Sequence, residues 1–296
     1  LLKTRLNHSM QFARLDPLFH GFAQIGFQQN RLSGLLFIIA IALGSPLMLL
    51  AALAAVGTAY LTASWLGADR KDLQAGLYGY NPALMAIALV IWLPLSWSLV
   101  LMVLAGGAVT ALIMYAFRQH SRIPPYSVPF ILTAWLMLLL SLGAGMDLNT
   151  PALLNHGGAS VFEAFLSSVG QVGFQQGALS GALILAALLV GSLAAGGWAI
   201  LAAVVSLVLA PLLSPAAGLI DSGIFGFNAI LATLVLSGLL PQHRWKAVVI
   251  LSAITATVVL TAVFLQLGII AFTAPFVMTV YLIQLAIRQF CNPIAQ

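Results

Sequence analysis

Two stretches of this 296-residue chain spell nearly the same polar and aromatic phrase. Gln24, Phe27, Gln28 and Gln29 stand in QIGFQQNRLSG at 24–34; Gln171, Phe174, Gln175 and Gln176 stand in QVGFQQGALSG at 171–181, an offset of 147 residues. A glutamine and a phenylalanine three residues apart share one helical face. Neither is a nucleophile, an acid or a base, so what they offer is recognition. An amide carbonyl accepts N–H groups, and a ring presents a flat apolar surface. An unpaired amide costs several kcal/mol in an apolar medium. A glutamine kept in both places therefore meets something polar, either backbone or a solute. For Gln28, Gln29, Gln175 and Gln176 the role of holding local backbone stays open.

A second pair of phrases is GLYGYN at 76–81 and GIFGFN at 223–228. Its glycines permit close backbone approach, Tyr80 and Phe227 place a ring at the same point of each copy, and Asn81 and Asn228 suit the cap of a broken helix. A third pair is IPPYSVPF at 123–130 and IIAFTAPF at 269–276. There Pro129 and Pro275 are expected to release a backbone carbonyl, which the hydroxyl of Ser127 or Thr273 joins; a plain helix start with a first-turn proline is the alternative. Titratable groups are few. Asp16, Glu163 and Asp221 lie near segment ends, where a carboxylate suits a helix N-terminus. Histidines at 8, 20, 120, 156 and 243 are scattered and Cys291 stands alone, so neither a metal cluster nor a catalytic nucleophile is assembled. The expectation is a protein that is not an enzyme and has no cofactor.

The elements that must position these residues are set by the composition. Apolar residues make up 62% of the chain and charged residues 6%, against roughly 25% charged in a soluble domain. No charge occurs in 35–66, 73–117, 123–146, 164–220 or 222–242. A hydrocarbon core about 30 Å thick needs about 20 apolar helical residues, so these runs predict an all-α integral membrane protein with about ten transmembrane helices. Barrel strands of about ten alternating residues are excluded. The first thirty residues are polar and mixed, so no cleaved signal is expected. The basic residues sit at the ends of apolar segments, where they speak for orientation in a lipid bilayer and not for nucleic acid.

Internal likeness organises the chain further. Residues 22–34 and 169–181 share eight of thirteen positions, and 76–89 faces 223–236 at the same offset. With one residue of slippage 127–135 matches 273–281, so 1–147 and 148–296 read as two copies of one unit. Basic residues at 3, 5, 14, 31, 70, 71, 118, 122, 244, 246 and 288 face uncharged positions in the other copy. That pattern fits copies inserted upside down relative to each other, with an odd number of crossings each. Five per copy places every Lys and Arg on the cytoplasmic side, with both termini there. Stretches 17–30 and 72–81 and their partners must then be re-entrant, and irregular backbone at membrane depth is tolerated where it lines a polar path.

These phrases resemble the urea transporter family of bacteria and vertebrates over essentially the whole chain. The resemblance rests on Gln24, Phe27, Asn30, Leu32, Ser33 and Gly34, on Gly-x-x-Gly-Tyr-Asn at 76–81, and on Ile-Pro-x-x-Ser-x-Pro-Phe at 123–130. It implies two inverted five-helix repeats with re-entrant pore segments enclosing a central pore, and homotrimers with one pore per protomer. It also implies passive conduction of urea. Phe27 with Tyr80, and Phe174 with Phe227, become flat walls of slots at the two ends, completed by Leu84 and Leu231. Gln24 and Gln171 start rows of oxygen acceptors, and Ser127 and Thr273 stand at the centre. This chain departs from the family at Gln171, where many relatives carry Glu, at Ile269-Ile270, and at Ser127. A bacterial cytoplasmic membrane is the expected location. The alternative is an ion-coupled secondary transporter of a small amide or amine, using Glu163 or Asp221.

Overall fold

A computed structural model describes residues 15–149, 158–214, 216–240 and 245–291, and every element among them is helical. Lys3, Arg5, Arg14, Arg244, His8, His156 and His243 lie outside the described residues, as do the side chains of Arg288 and Cys291. The chain forms two compact units, one of residues 1–151 with 186–191, the other of 152–185 with 192–296.

In the first unit α1 (Leu15–Gly26) ends in a 3-10 turn at Gln24–Gly26, and α2 (Arg31–Gly44) restarts at an angle of 76°. Asn30 caps α2 by accepting from the Ser33 N–H at 3.0 Å. Ser45 caps α3 (Pro46–Trp65), whose first residue is a proline that has no N–H to lose. Short α4 (Arg70–Gln74) leads through a turn into α5 (Tyr80–Trp92), followed by α6 (Trp97–His120) and α7 (Val128–Gly143). The second unit repeats the order. Helix α8 (Val161–Gly170) with its 3-10 turn Gln171–Gly173 meets α9 (Ala178–Gly191), whose residues 186–191 count with the first unit, at 65°. Then come α10 (Leu193–Leu213), α11 (Ala217–Asp221), α12 (Phe227–Leu239), α13 (Lys246–Gln266) and α14 (Ala274–Cys291).

Small residues let these helices approach. On α3 the buried Ala52, Ala55, Ala59 and Ala63 form a seam against α6, where a Cβ on Gly107 would stand 2.5 Å from the Ala55 carbonyl oxygen. On α10 the buried Gly196, Ala199, Ala203, Ser206 and Ala210 make the matching seam. Enclosed in each unit is one short helix. Every residue of α5 from Tyr80 to Leu89, and of α12 from Phe227 to Leu236, is buried.

That burial corrects the expected count of about ten spans. Among the described residues four helices, α3, α6, α10 and α13, are long and apolar enough to cross a membrane, or up to six spans if each bent pair counts as one. Helices α5 and α12, with 13 residues each, reach only about 20 Å at ~1.5 Å per residue, short of a core about 30 Å thick. Helix α7 and the apolar stretch Ala274–Ile287 of α14 are also below spanning length. Apolar sequence was read as contact with lipid, but a helix packed inside protein is apolar all round for the same reason.

The repeated Leu-Ser-Gly is explained by packing. A Cβ on Gly34 would lie 1.9 Å from the Phe19 carbonyl oxygen, and one on Gly181 2.0 Å from that of Leu166. Gly34→Ala and Gly181→Ala are therefore expected to destabilise the detergent-solubilised protein by about 1–3 kcal/mol, an overpacking penalty. Gly57→Ala, on α3 with nothing within 4 Å, should hold or raise the melting temperature, and serves as the control in the same thermal melt.

Candidate functional site

Each unit brings one aromatic from each of its three repeated phrases into a single cluster. In the first unit the Phe27 ring lies 6.4 Å from Tyr80 and 6.2 Å from Tyr126, centroid to centroid. In the second, Phe174 lies 6.0 Å from Phe227 and 6.5 Å from Phe272. The sequence reading named two rings of each trio and missed Tyr126 and Phe272. The signal was present: both stand one residue before the chosen hydroxyl, at equivalent places of the third phrase.

Backbone geometry delivers the rings. Phe27 and Phe174 are left-handed, each with φ 56°, at the end of α1 and of α8. The Phe27 N–H donates to the Gln24 carbonyl at 3.0 Å and the Gln28 N–H to the Ala23 carbonyl at 3.2 Å, the double closure that ends a helix in a Schellman motif. Phe174 and Gln175 repeat it onto Gln171 and Gly170, both at 3.0 Å. Glycine usually fills this position, because a Cβ there costs about 1–2 kcal/mol. The benefit of phenylalanine is its ring, which projects from the break while the helix stops.

Gln24 and Gln171 are placed alike. Nε2 of Gln24 donates to the Ala75 carbonyl at 3.0 Å, and Nε2 of Gln171 to the Ser222 carbonyl at 3.1 Å. Since a carbonyl can only accept, the nitrogen of each amide must face it, and the amide oxygen points the other way as an acceptor. The residue after each carbonyl is a glycine at φ 80° or 77°, and a Cβ on Gly76 or Gly223 would sit 2.3 Å from the backbone nitrogen of Gly21 or Ser168. Gln28 is different: it donates to the Leu188 carbonyl at 2.8 Å and accepts from the Ser33 hydroxyl at 2.8 Å, so both ends serve the fold. Gln175 donates to the Gly173 carbonyl.

Asn81 and Asn228 do not cap their own helices. Nδ2 of Asn81 donates to the Tyr126 carbonyl at 3.2 Å and Oδ1 accepts the Phe130 N–H at 3.2 Å, so it caps α7. Asn228 makes the same pair with Phe272 and Phe276, at 3.1 and 3.3 Å, and caps α14. This also revises the expectation for Pro129 and Pro275. Both lie in the first turn of their helices, so they interrupt no earlier turn. The nearby carbonyls are occupied: Pro125 accepts from Val128, and Tyr126 from Asn81 and from the Tyr80 hydroxyl at 2.5 Å. Ser127 and Thr273 are buried directly after the left-handed aromatics. Leu84 and Leu231, buried and one turn beyond Tyr80 and Phe227, extend the same helical face.

The rings do not form parallel walls. Phe27 meets Tyr80 at 69° and Phe174 meets Phe227 at 57°, which are edge-on and tilted contacts. Phe27 and Phe174 are partly exposed, whereas Tyr80, Tyr126, Phe227 and Phe272 are buried. Beside Phe27 a pocket of about 230 Å³ is lined by Gln24, Tyr80, Tyr126, Met114, Arg118 and Arg122 among others. Arg118 is turned to Asp72, bonding both carboxylate oxygens at 2.6 and 2.8 Å. The carboxylates near segment ends, with Glu163 and Asp221 the candidates for ion coupling, are likewise engaged. Asp16 pairs with Arg31, Glu163 forms a capping box with Ser160, and Asp221 accepts from the N–H groups of Gly158 and Ala159.

Membrane-length helices, two broken helix pairs and a duplicated amide-aromatic cluster among the described residues define an all-α protein of the membrane type. The chain belongs to the urea transporter family: the profile described as "Urea transporter" matches residues 15–289. It is 26% identical over 255 residues to "Urea transporter 1" of Rattus norvegicus, covering 78% of this chain and 65% of that one. It is 24% identical over 257 residues to the proteins of the same name from Ovis aries and Capra hircus, covering 80% of this chain and 66% of theirs. The chain thus spans slightly less than two thirds of the length of these relatives. The relatives are vertebrate, which corrects the expected placement in a bacterial cytoplasmic membrane.

Because Asn81 and Asn228 each satisfy two buried backbone groups, Asn81→Ala or Asn228→Ala should cost about 1–3 kcal/mol per orphaned group. The check is a lowered melting temperature, together with faster hydrogen exchange at the start of α7 or α14.

Proposed function

We propose that this protein conducts urea passively down its concentration gradient, with Gln24, Phe27, Tyr80, Leu84 and Ser127 lining the path in one copy and Gln171, Phe174, Phe227, Leu231 and Thr273 in the other. The observation that carries the reading is the paired amide. In each unit a glutamine is tied to backbone through its nitrogen, which leaves its oxygen as an acceptor, three residues before a partly exposed phenylalanine. Urea is flat and neutral, with four N–H donors and one carbonyl. Losing its water requires oxygen acceptors along its edges and apolar surface on its faces, which the amide oxygen and the ring supply. The groups nearest the rings carry no charge to compensate an ion, whose desolvation cost stays steep, while Arg118 and Arg122 are solvent-exposed. Neutral hydrogen bonds are weak enough to release the solute again.

The crossed rings bear on how the path works. A urea molecule lies flat against Phe27 or Phe174 once that ring turns from its edge-on contact. Partial exposure favours the turn, since exposed side chains change rotamer within picoseconds to nanoseconds. Residues 1–147 and 148–296 are proposed as two copies inserted in opposite senses, on the strength of their complementary basic residues. A homotrimer with one path per chain is proposed from family membership. Ion coupling finds no support in the carboxylates, since each already has a structural partner.

The test is urea flux in proteoliposomes at several pH values, with and without Na⁺ and an imposed gradient. The expected flux follows the urea gradient alone; uphill accumulation would overturn the proposal. Gln171→Leu and Phe174→Ala are expected to lower urea flux about tenfold or more, the effect of ~1.4 kcal/mol lost from passage, in protein that elutes and melts like the wild type.

A further inference from the structure

The third ring of each cluster has no role in the path as proposed above, yet its placement is the most constrained of the three. Among the described residues only Phe27, Tyr126, Phe174 and Phe272 combine a side chain with positive φ, and all four belong to the two clusters. Tyr126 at φ 45° and Phe272 at φ 47° stand where a bulky side chain is a steric outlier. Each is held there by its own carbonyl, which accepts from Asn81 or Asn228. Each is buried, and each meets the partly exposed phenylalanine nearly at a right angle, 89° in one unit and 88° in the other. The angle is kept although one third ring is a tyrosine and the other a phenylalanine.

A perpendicular ring is a stop. It lies against Phe27 or Phe174, 6.2 or 6.5 Å away between centroids, and so limits how far that ring can swing. The swing sets the opening available to a flat solute. We propose that Tyr126 and Phe272 are specificity-determining positioning residues, which set the travel of the Phe27 and Phe174 rings and thereby pass the unsubstituted planar amide while rejecting N-alkylated ones. A methyl group on nitrogen lengthens the solute in its own plane and replaces an N–H donor, so it needs a wider opening and returns fewer hydrogen bonds. The inference rests on the urea-conduction reading.

The experiment compares fluxes of urea, methylurea and 1,3-dimethylurea in proteoliposomes bearing wild type, Tyr126→Leu, Tyr126→Phe, Phe272→Leu or Phe272→Tyr. Each leucine variant should raise the dimethylurea-to-urea permeability ratio about tenfold with urea flux within about twofold, and the aromatic exchanges should keep the wild-type ratio. A role confined to folding lowers all three fluxes together and leaves the ratio alone. That outcome, or an unchanged ratio in leucine variants that conduct urea normally, overturns the inference. Should Tyr126→Leu fail to fold, Phe272→Leu and the less disruptive Tyr126→Met carry the same comparison. A wild type that conducts none of the three solutes removes the urea reading itself; a wild type that conducts urea with unmoved ratios removes only the assignment of the third rings.

Discussion

The left-handed phenylalanine at the end of α1 and of α8 is the constraint on which the rest of each unit depends. It closes the helix through two backbone bonds, turns the chain, and leaves a ring at the break. The following helix then restarts close enough for Gly34 or Gly181 to lie against the backbone of the arm just ended. The same arm carries Gly21 or Ser168, against which Gly76 or Gly223 packs, and this contact brings the Ala75 or Ser222 carbonyl under the glutamine amide. Replace the break with a continuous helix and the ring, the amide and the glycine contacts all lose their places. A cost of about 1–2 kcal/mol at one residue is small beside that dependence.

The two units reach this geometry by different outer supports. In the first, the Tyr60 hydroxyl donates to the Pro17 carbonyl at 2.8 Å, Arg31 pairs with Asp16, Arg118 with Asp72, and the Tyr80 hydroxyl bonds the Tyr126 carbonyl. The corresponding positions of the second unit are Leu207, Ala178, Leu265 and Phe227, which can make none of these bonds. That unit instead closes the start of α8 with the Ser160–Glu163 capping box and the Asp221 contacts. Around the rings the units nonetheless share the trio itself, the glutamine, the asparagine and the close-packed glycines. Supports that diverge around a core that does not are what a common task at the core would leave behind.

Much of this was legible in the chain. An all-α chain of apolar helices follows from the long uncharged runs, and the irregular backbone within 17–30 and the rings at Phe27, Tyr80, Phe174 and Phe227 follow from the repeated polar and aromatic phrases. The number of spans did not follow, because hydropathy cannot tell a helix facing lipid from one enclosed by protein, and α5 and α12 are enclosed. Asn81 was read as a local cap because caps are usually local; its partners are 45 and 49 residues away. The left-handed placement of Tyr126 and Phe272 is not legible in the sequence, because left-handed backbone at an aromatic residue is improbable from residue type alone. Parallel walls were expected from the shape of urea, whereas ring packing favours edges against faces.

The enclosure of α5 and α12 has a mechanical consequence. Bilayers differ in thickness, and a helix in contact with lipid answers by tilting or by drawing the lipid to its own length. In this protein α3, α6, α10 and α13 have both the length and the exposed apolar side chains to meet that load. Tyr80, Leu84, Phe227 and Leu231 ride on helices with no such contact along their buried stretches, so the geometry around the rings is insulated from the thickness of the membrane that holds it.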